Sequence, residues 1–178
     1  MKENTATFGA GCFWCTEACF AELNGVISVK PGFSGGHVKN PSYEQVCTGH
    51  TGHAEVAQII YDADLLSFKE LLKVFWFIHD PTQLNRQGND IGTHYRSAIF
   101  FHDEIQRKEA EAYKKTLNEQ KVWEQPVVTE ISKFEDFYPA EAYHNNYLEN
   151  NPENMYCQAV VRPKLERFKH AFASQINR

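Results

Sequence analysis

Between Ala6 and Phe101 the chain reads strand, helix, strand, strand, helix, strand, an order that leaves few folds open. Ala6-Thr7-Phe8-Gly9 is a short apolar strand that turns through glycine into a helix from about Phe13 to Leu23. Trp14, Ala18 and Leu23 give that helix a buried stripe, and Asn24-Gly25 is a stop. Val26-Ile27-Ser28-Val29 is the second strand, and Ala54 to Tyr61, with alternating character, is the third. Ser67 and Glu70 form a capping-box pattern ahead of Leu71, Leu72, Phe75 and Ile78, and Asp80-Pro81 ends this second helix. Arg96 to Phe101 is the fourth strand. The order predicts an α+β fold of the ferredoxin-like plait type, with helices packed on a mixed or antiparallel sheet.

Beyond it, Asp103 to Gln120 reads as a charged, exposed helix and Val127 to Ile131 as a fifth strand. Pro139 to Asn150 and Pro163 to Ile176 read as two C-terminal helices, each opening on a proline suited to the first helical position. No linker, repeat or low-complexity stretch divides the chain, so residues 1–178 are expected to be one domain, and a monomer.

A net charge of −5 argues against general binding to nucleic acid or anionic membranes. The most apolar helical stretch, Leu71 to Ile78, is too short to span a bilayer, and no signal-peptide core follows Met1. Five cysteines do not close a disulfide framework. The expectation is a reducing cytoplasm, mostly free thiols, and any disulfide transient and catalytic.

Two loops, about Pro31 to Gly52 and Asp80 to Tyr95, are longer than connectivity needs and carry aromatic and ionisable residues, which points to function. Cys12 is the candidate nucleophile. It stands where strand turns into helix, and the unpaired N–H groups of a helix start favour thiolate over thiol. A buried small apolar residue is the competing reading. Cys12 and Cys15 also form a C-x-x-C pair, the spacing of a redox dithiol or half a zinc site, which Cys47 and His50 or His53 would complete. Glu55 opens the third strand among apolar neighbours. Facing Cys12 from a buried position, it would stay protonated and serve as an acid; otherwise it is a solvated edge residue.

Five motifs in order resemble the peptide methionine sulfoxide reductase A family: Gly11-Cys12-Phe13-Trp14, Ser42-Tyr43-Glu44, Gly52-His53-Ala54-Glu55, Gly88-Asn89-Asp90-Ile91-Gly92-Thr93 with Tyr95-Arg96-Ser97, and Ala140-Glu141 with Tyr143-His144. The resemblance runs from about Thr7 to Pro152. It implies reduction of the S-epimer of methionine sulfoxide, free or in peptides, with no metal and no cofactor. It also implies that Cys12 attacks the sulfoxide sulfur, Glu55 gives the proton, and Tyr43 and Tyr95 bind the oxygen. Asp90 would help order the site, and Phe13 and Trp14 would hold the S-methyl group. A Cys12 sulfenic acid would then meet a second thiol, and thioredoxin would reduce the resulting disulfide. Cys47 and Cys157 are the candidates for that thiol. Cys47 lies between Tyr43 and Glu55. Cys157 follows Tyr156 but leads into a helix able to anchor it away from the site, so Cys47 is preferred, with direct reduction without a resolving thiol as the third option. Cys15 stands where many relatives have glycine, His94 where glutamine is frequent, and Cys19 is expected in the core. A zinc-binding module on Cys12, Cys15, Cys47 and a histidine, and a general dithiol oxidoreductase on Cys12-Cys15, are the competing functions.

Overall fold

The computed structural model describes residues 1–176. Its sheet has the strand order β7-β6-β1-β3-β2-β8, with β1 at Glu3–Ala10, β2 at Val26–Ser34, β3 at Ala54–Asp62, β6 at Ser97–Phe101, β7 at Glu130–Lys133 and β8 at Tyr138–Pro139. Every pairing is antiparallel except β6 with β7, so the sheet is mixed. The expected α+β architecture is present. The long loop 80–95 carries a small hairpin of its own, β4 (Arg86–Gln87) against β5 (Asp90–Ile91).

The helices are α1 (Phe13–Phe20), α2 (Tyr43–Cys47), α3 (Phe68–Phe77), α4 (Glu104–Glu119), α5 (Tyr147–Asn150) and α6 (Arg162–Ala171). α1, α3 and α6 pack on one face of the sheet. Strand periodicity decides which side chains meet them. Ala6, Phe8 and Ala10 of β1, Ile59 and Tyr61 of β3 and Ile99 of β6 join the helices in the main core, with Phe20, Leu72, Phe75 and Phe168. Ala54, Val56, Ala98 and Phe100 point the other way, beneath Phe134 and Phe137. Glu55 has the parity of Ile59 and Tyr61, so β3 aims its carboxyl at the face that α1 covers.

Several expected elements are corrected. α1 ends at Phe20 and is not amphipathic: Phe13, Cys15, Thr16, Glu17, Cys19 and Phe20 are all buried, while Trp14 and Ala18 are half-exposed. The helix is wedged between the sheet, α6 and the segment around 147–161, which leaves it no free side. β2 continues to Ser34 through Pro31 and Gly32, because β3 pairs with it as far as Ala54. The fifth strand lies at Glu130–Lys133, three residues later than read, where the register against β6 runs from Ala98↔Glu130 to Phe101↔Lys133. Pro139 to Asn150 is not one helix. Tyr138–Pro139 pairs with β2, Ala140 N–H donates to Pro31 O, a 3-10 turn covers Ala142–His144, and only Tyr147–Asn150 is α-helical. The last helix is Arg162–Ala171, preceded by a π-helical turn at Cys157–Val161 and followed by a 3-10 turn at Ala173–Gln175.

Candidate active site

Gly11 makes the turn from β1 into α1 at φ +88°, a conformation that side chains avoid. A Cβ there would also stand 2.8 Å from Gln87 Cγ. Cys12 is thereby set as the N-cap of α1, with its carbonyl accepting from Cys15 N–H at 3.1 Å and Thr16 N–H at 3.4 Å. The next amide, Phe13 N–H, has no helical partner and donates to Glu55 Oε1 at 3.2 Å. One unpaired helix-start donor thus ties β3 to the nucleophile's own peptide.

Glu55 is 1% exposed and sits opposite Phe33 of β2. Burial raises its pKa to about 8, with Phe13 N–H working the other way and Asp90 and Cys15 adding to the rise. The carboxyl is thus buried, bonded to the amide that follows Cys12, and biased toward its neutral form. Its second oxygen, Oε2, has no hydrogen-bond partner among the described residues.

The charge on the thiols departs from expectation. Trp14 N–H does favour a Cys12 thiolate, but burial, the hydrogen bond with the Cys15 side chain and the nearby Glu55 outweigh it, so the Cys12 thiol is pushed up. Cys15 is lowered, first by the Cys12 hydrogen bond and also by Lys164 and a hydrogen bond with Tyr156. In this buried pair the Cys15 thiol is held lower than the Cys12 thiol.

Phe13 is buried against Phe33, Val46 and Ala140, with Tyr43 stacked on it at 6.0 Å and His144 tilted at 5.1 Å. Trp14 stacks flat on Tyr147 at 3.8 Å, and its indole N–H donates to His144 Nδ1 at 3.0 Å. Tyr43 begins α2, where the Ser42–Gln45 capping box and the Glu141 carboxylate, which accepts from Tyr43 N–H, fix its position. Burial keeps the hydroxyls of Tyr43 and Tyr95 protonated, and Glu55 adds to the effect at both. Tyr95 packs in the cluster that holds Cys12. Asp90 accepts a short hydrogen bond from the Tyr156 hydroxyl.

Cys47, the last residue of α2, is exposed, shares a hydrogen bond with Tyr43, and feels Glu55 electrostatically. Cys157 is not held away: it is fully buried, and it packs in one cluster with Cys12, Cys15 and Val161. The π-helical turn that begins at Cys157 achieves this by re-aiming the chain ahead of α6. Cys19 lies in the main core, as expected.

Side-chain hydrogen bonds tie the long loops to the sheet and to each other. His53 accepts from Gly36 N–H at Nδ1 and donates from Nε2 to Val38 O at 2.7 Å, stapling the loop before β3. Gln87 exchanges hydrogen bonds with both backbone groups of Asp80, closing the loop 80–87. Arg96 binds Glu130, Thr93 O and Gly52 O at once, joining the two long loops behind the site.

The family model described as peptide methionine sulfoxide reductase matches residues 4–176. This chain belongs to that family. A peptide methionine sulfoxide reductase MsrA of Natronomonas pharaonis is 52% identical over 173 residues, covering 97% of each chain. Among solved structures, Mxr1 of Saccharomyces cerevisiae in reduced form superposes with a TM-score of 0.80 at 35% identity, covering 88% of this chain and 90% of that one. Mxr1 in complex with Trx2 matches with a TM-score of 0.56 at 25% identity, covering 82% and 85%. Peptide methionine sulfoxide reductases are oxidoreductases.

Three members of the site went unassigned in the sequence. His144, the fully buried hub of Trp14, Phe13 and Tyr43, stood in a quoted motif but had no role. Tyr147, the floor under Trp14, and Tyr156, the partner of Asp90, gave no periodic signal, because their segment is an irregular strap whose placement is wholly tertiary.

Proposed function

We propose that residues 1–178 form one catalytic domain that reduces the S-epimer of methionine sulfoxide, free or in peptides, at Cys12. The observation that carries this is the Phe13 N–H bond to Glu55, which places a buried carboxyl with one open oxygen against the nucleophile's own peptide.

The sulfoxide oxygen enters between Glu55, Tyr43 and Tyr95, where neutral O–H donors meet it without an opposing negative charge. The S-methyl group lies against the ring faces of Phe13 and Trp14, an apolar socket that reads configuration by shape. Cys12 sulfur attacks the sulfoxide sulfur, Glu55 protonates the oxygen as the S–O bond weakens and takes up the Cys12 thiol proton, and the hydroxyl passes to the Cys12 sulfur. Methionine leaves and Cys12 holds a sulfenic acid. Cys15 is in hydrogen-bond contact with Cys12, so its sulfur attacks next. The new S–S bond displaces hydroxide, which takes the Cys15 proton and leaves as water. A dithiol of the thioredoxin class, the kind of partner seen in the yeast relative's complex with Trx2, then returns two electrons and two protons, one proton to each sulfur. Cys157, packed in the same cluster, supports a relay of the disulfide outward. Cys47 is the remaining candidate for this role.

The order β6-β1-β3-β2, with α1 linking β1 to β2 and α3 leading from β3 toward β6, supports reading the centre of the sheet as a ferredoxin-like plait. No helix among the described residues is long and apolar enough to cross a membrane. A monomer in a reducing cytoplasm suits the free thiols. The experiment is turnover of the S-epimer driven by dithiothreitol. Cys12→Ser is expected to abolish it, and a Cys12→Ser protein with wild-type turnover refutes the proposal.

A further inference from the structure

Cys47, Glu55 and His94 come from three separate elements, yet one donor atom of each lies within 4.8 Å of the other two. Two of the three side chains hold an orphaned polar atom: Glu55 Oε2 and His94 Nδ1 are buried without a hydrogen-bond partner among the described residues. Their residues are 1% and 5% exposed. A buried polar atom left unpaired is costly, and two on side chains of one such cluster call for an explanation. A sulfoxide oxygen accounts for the one on Glu55. It does not account for His94, which stands where glutamine is frequent in the family.

We propose that Cys47, Glu55 and His94 bind one zinc(II) ion, which closes the site by occupying the carboxyl that would protonate the sulfoxide. A thiolate, a carboxylate and an imidazole are the donors zinc takes, and three protein ligands leave its fourth position open to water. Calcium and magnesium prefer all-oxygen shells, and copper(I) prefers more sulfur. Exposed Cys47 offers the entry path. Gly92, at φ +143°, lets the backbone come close to the His94 ring: a Cβ there would stand 2.6 Å from Cε1 and 2.8 Å from Nδ1. Tyr43 hydrogen-bonds the Cys47 sulfur and so serves as an outer-shell partner. Binding releases the Cys47 thiol proton and the Glu55 acid proton to solvent, with no change of oxidation state. The metal site stands on these three side chains alone. Its inhibitory consequence rests on the reading of Glu55 as proton donor.

The test uses metal-free protein kept reduced with a phosphine and titrated with zinc chloride against a chromophoric zinc indicator, and separately with cobalt(II) chloride. One metal per chain is expected, and the cobalt form should show sulfur-to-metal charge-transfer absorption. Cys47→Ser and His94→Gln should each weaken zinc by more than about tenfold, a loss that even outer-shell changes produce at zinc sites. Cys47→Ser should also remove the charge-transfer band. Cys12→Ser and Cys15→Ser should keep the metal. Circular dichroism of the metal-free variants verifies folding, and the wild-type cobalt spectrum tests the site without any variant. Absence of stoichiometric metal, a cobalt spectrum without sulfur, or zinc lost with Cys12 or Cys15 rather than with Cys47 and His94 overturns the site. Zinc-loaded protein that reduces sulfoxide at full rate overturns the inhibition. A chain that binds zinc but shows no reductase activity without it refutes the proposed function and leaves the metal site standing.

Discussion

At the scale of single residues, the chemistry depends on who holds which proton. Strand alternation left Glu55 open between a solvated edge residue and a buried acid; the acid role came from the family resemblance, and the structure buries the carboxyl. The division of charge between Cys12 and Cys15 was not readable. It depends first on the hydrogen bond with Cys12, set against burial, and then on Lys164 and Tyr156, brought beside Cys15 by a segment more than a hundred residues away in sequence. Glu55→Gln removes the transferable proton and keeps the acceptor for Phe13 N–H, so kcat should fall by about 10²–10⁴-fold, the usual worth of a placed acid. Melting temperature should change far less than kcat. Stopped-flow or steady-state kinetics with the S-epimer checks this, and an undiminished kcat contradicts the proton-donor role. Cys15→Ser should still release one methionine per chain in a single turnover and then stall when thioredoxin is the reductant. Full thioredoxin-driven turnover in that variant would hand the resolving role to Cys157 or Cys47.

At the scale of elements, reading succeeded where local signals and tertiary contacts agree. Ser67 and Ser42 both begin helices, each with a reciprocal capping box, although only the box at Ser67 was identified from sequence. It failed where another part of the chain claims the backbone. Pro139-Ala140-Glu141 has the composition of a helix start, but Ala140 N–H is taken by Pro31 O and the Glu141 carboxylate caps α2 instead. Glu141→Ala should therefore loosen α2, with a stability loss of about 1 kcal/mol, as for a lost cap. The larger effect should be a raised KM, because Tyr43 loses its anchor. Denaturant titration with sulfoxide kinetics reads both, and an unchanged KM contradicts the link. Phe13→Ala empties a fully buried site and should cost about 3–5 kcal/mol in the same titration.

At the scale of the whole molecule, buried ionisable groups set how stability varies with pH. His79 is buried within a polar chain: Nδ1 bonds Phe75 O, Nε2 bonds Ser97, and Ser97 meets Thr129, which accepts from Trp76. Burial lowers its pKa from 6.5 to about 3. The unfolded chain binds the proton first, so the His79 contribution is complete above pH 6.5 and is lost as pH falls from there toward about 3. Glu17 acts with the opposite sign. Burial raises its pKa to about 7, with Asn146 N–H holding it back, so the folded chain keeps a proton that the unfolded chain gives up above pH 4.5. Its burial therefore costs stability increasingly as pH rises from 4.5 to about 7. Melting curves of Glu17→Gln and the wild type should nearly coincide at pH 4.5 and separate by pH 8, with the variant higher. A constant offset across that range would contradict the account.

The most direct measurement is mass spectrometry of the reduced chain after one exposure to the S-epimer of methionine sulfoxide without reductant. One methionine should form per chain, with oxidation confined to Cys12, trapped as a sulfenic acid or bridged to a second cysteine. Methionine released while Cys12 stays an unmodified thiol would contradict the account at its centre.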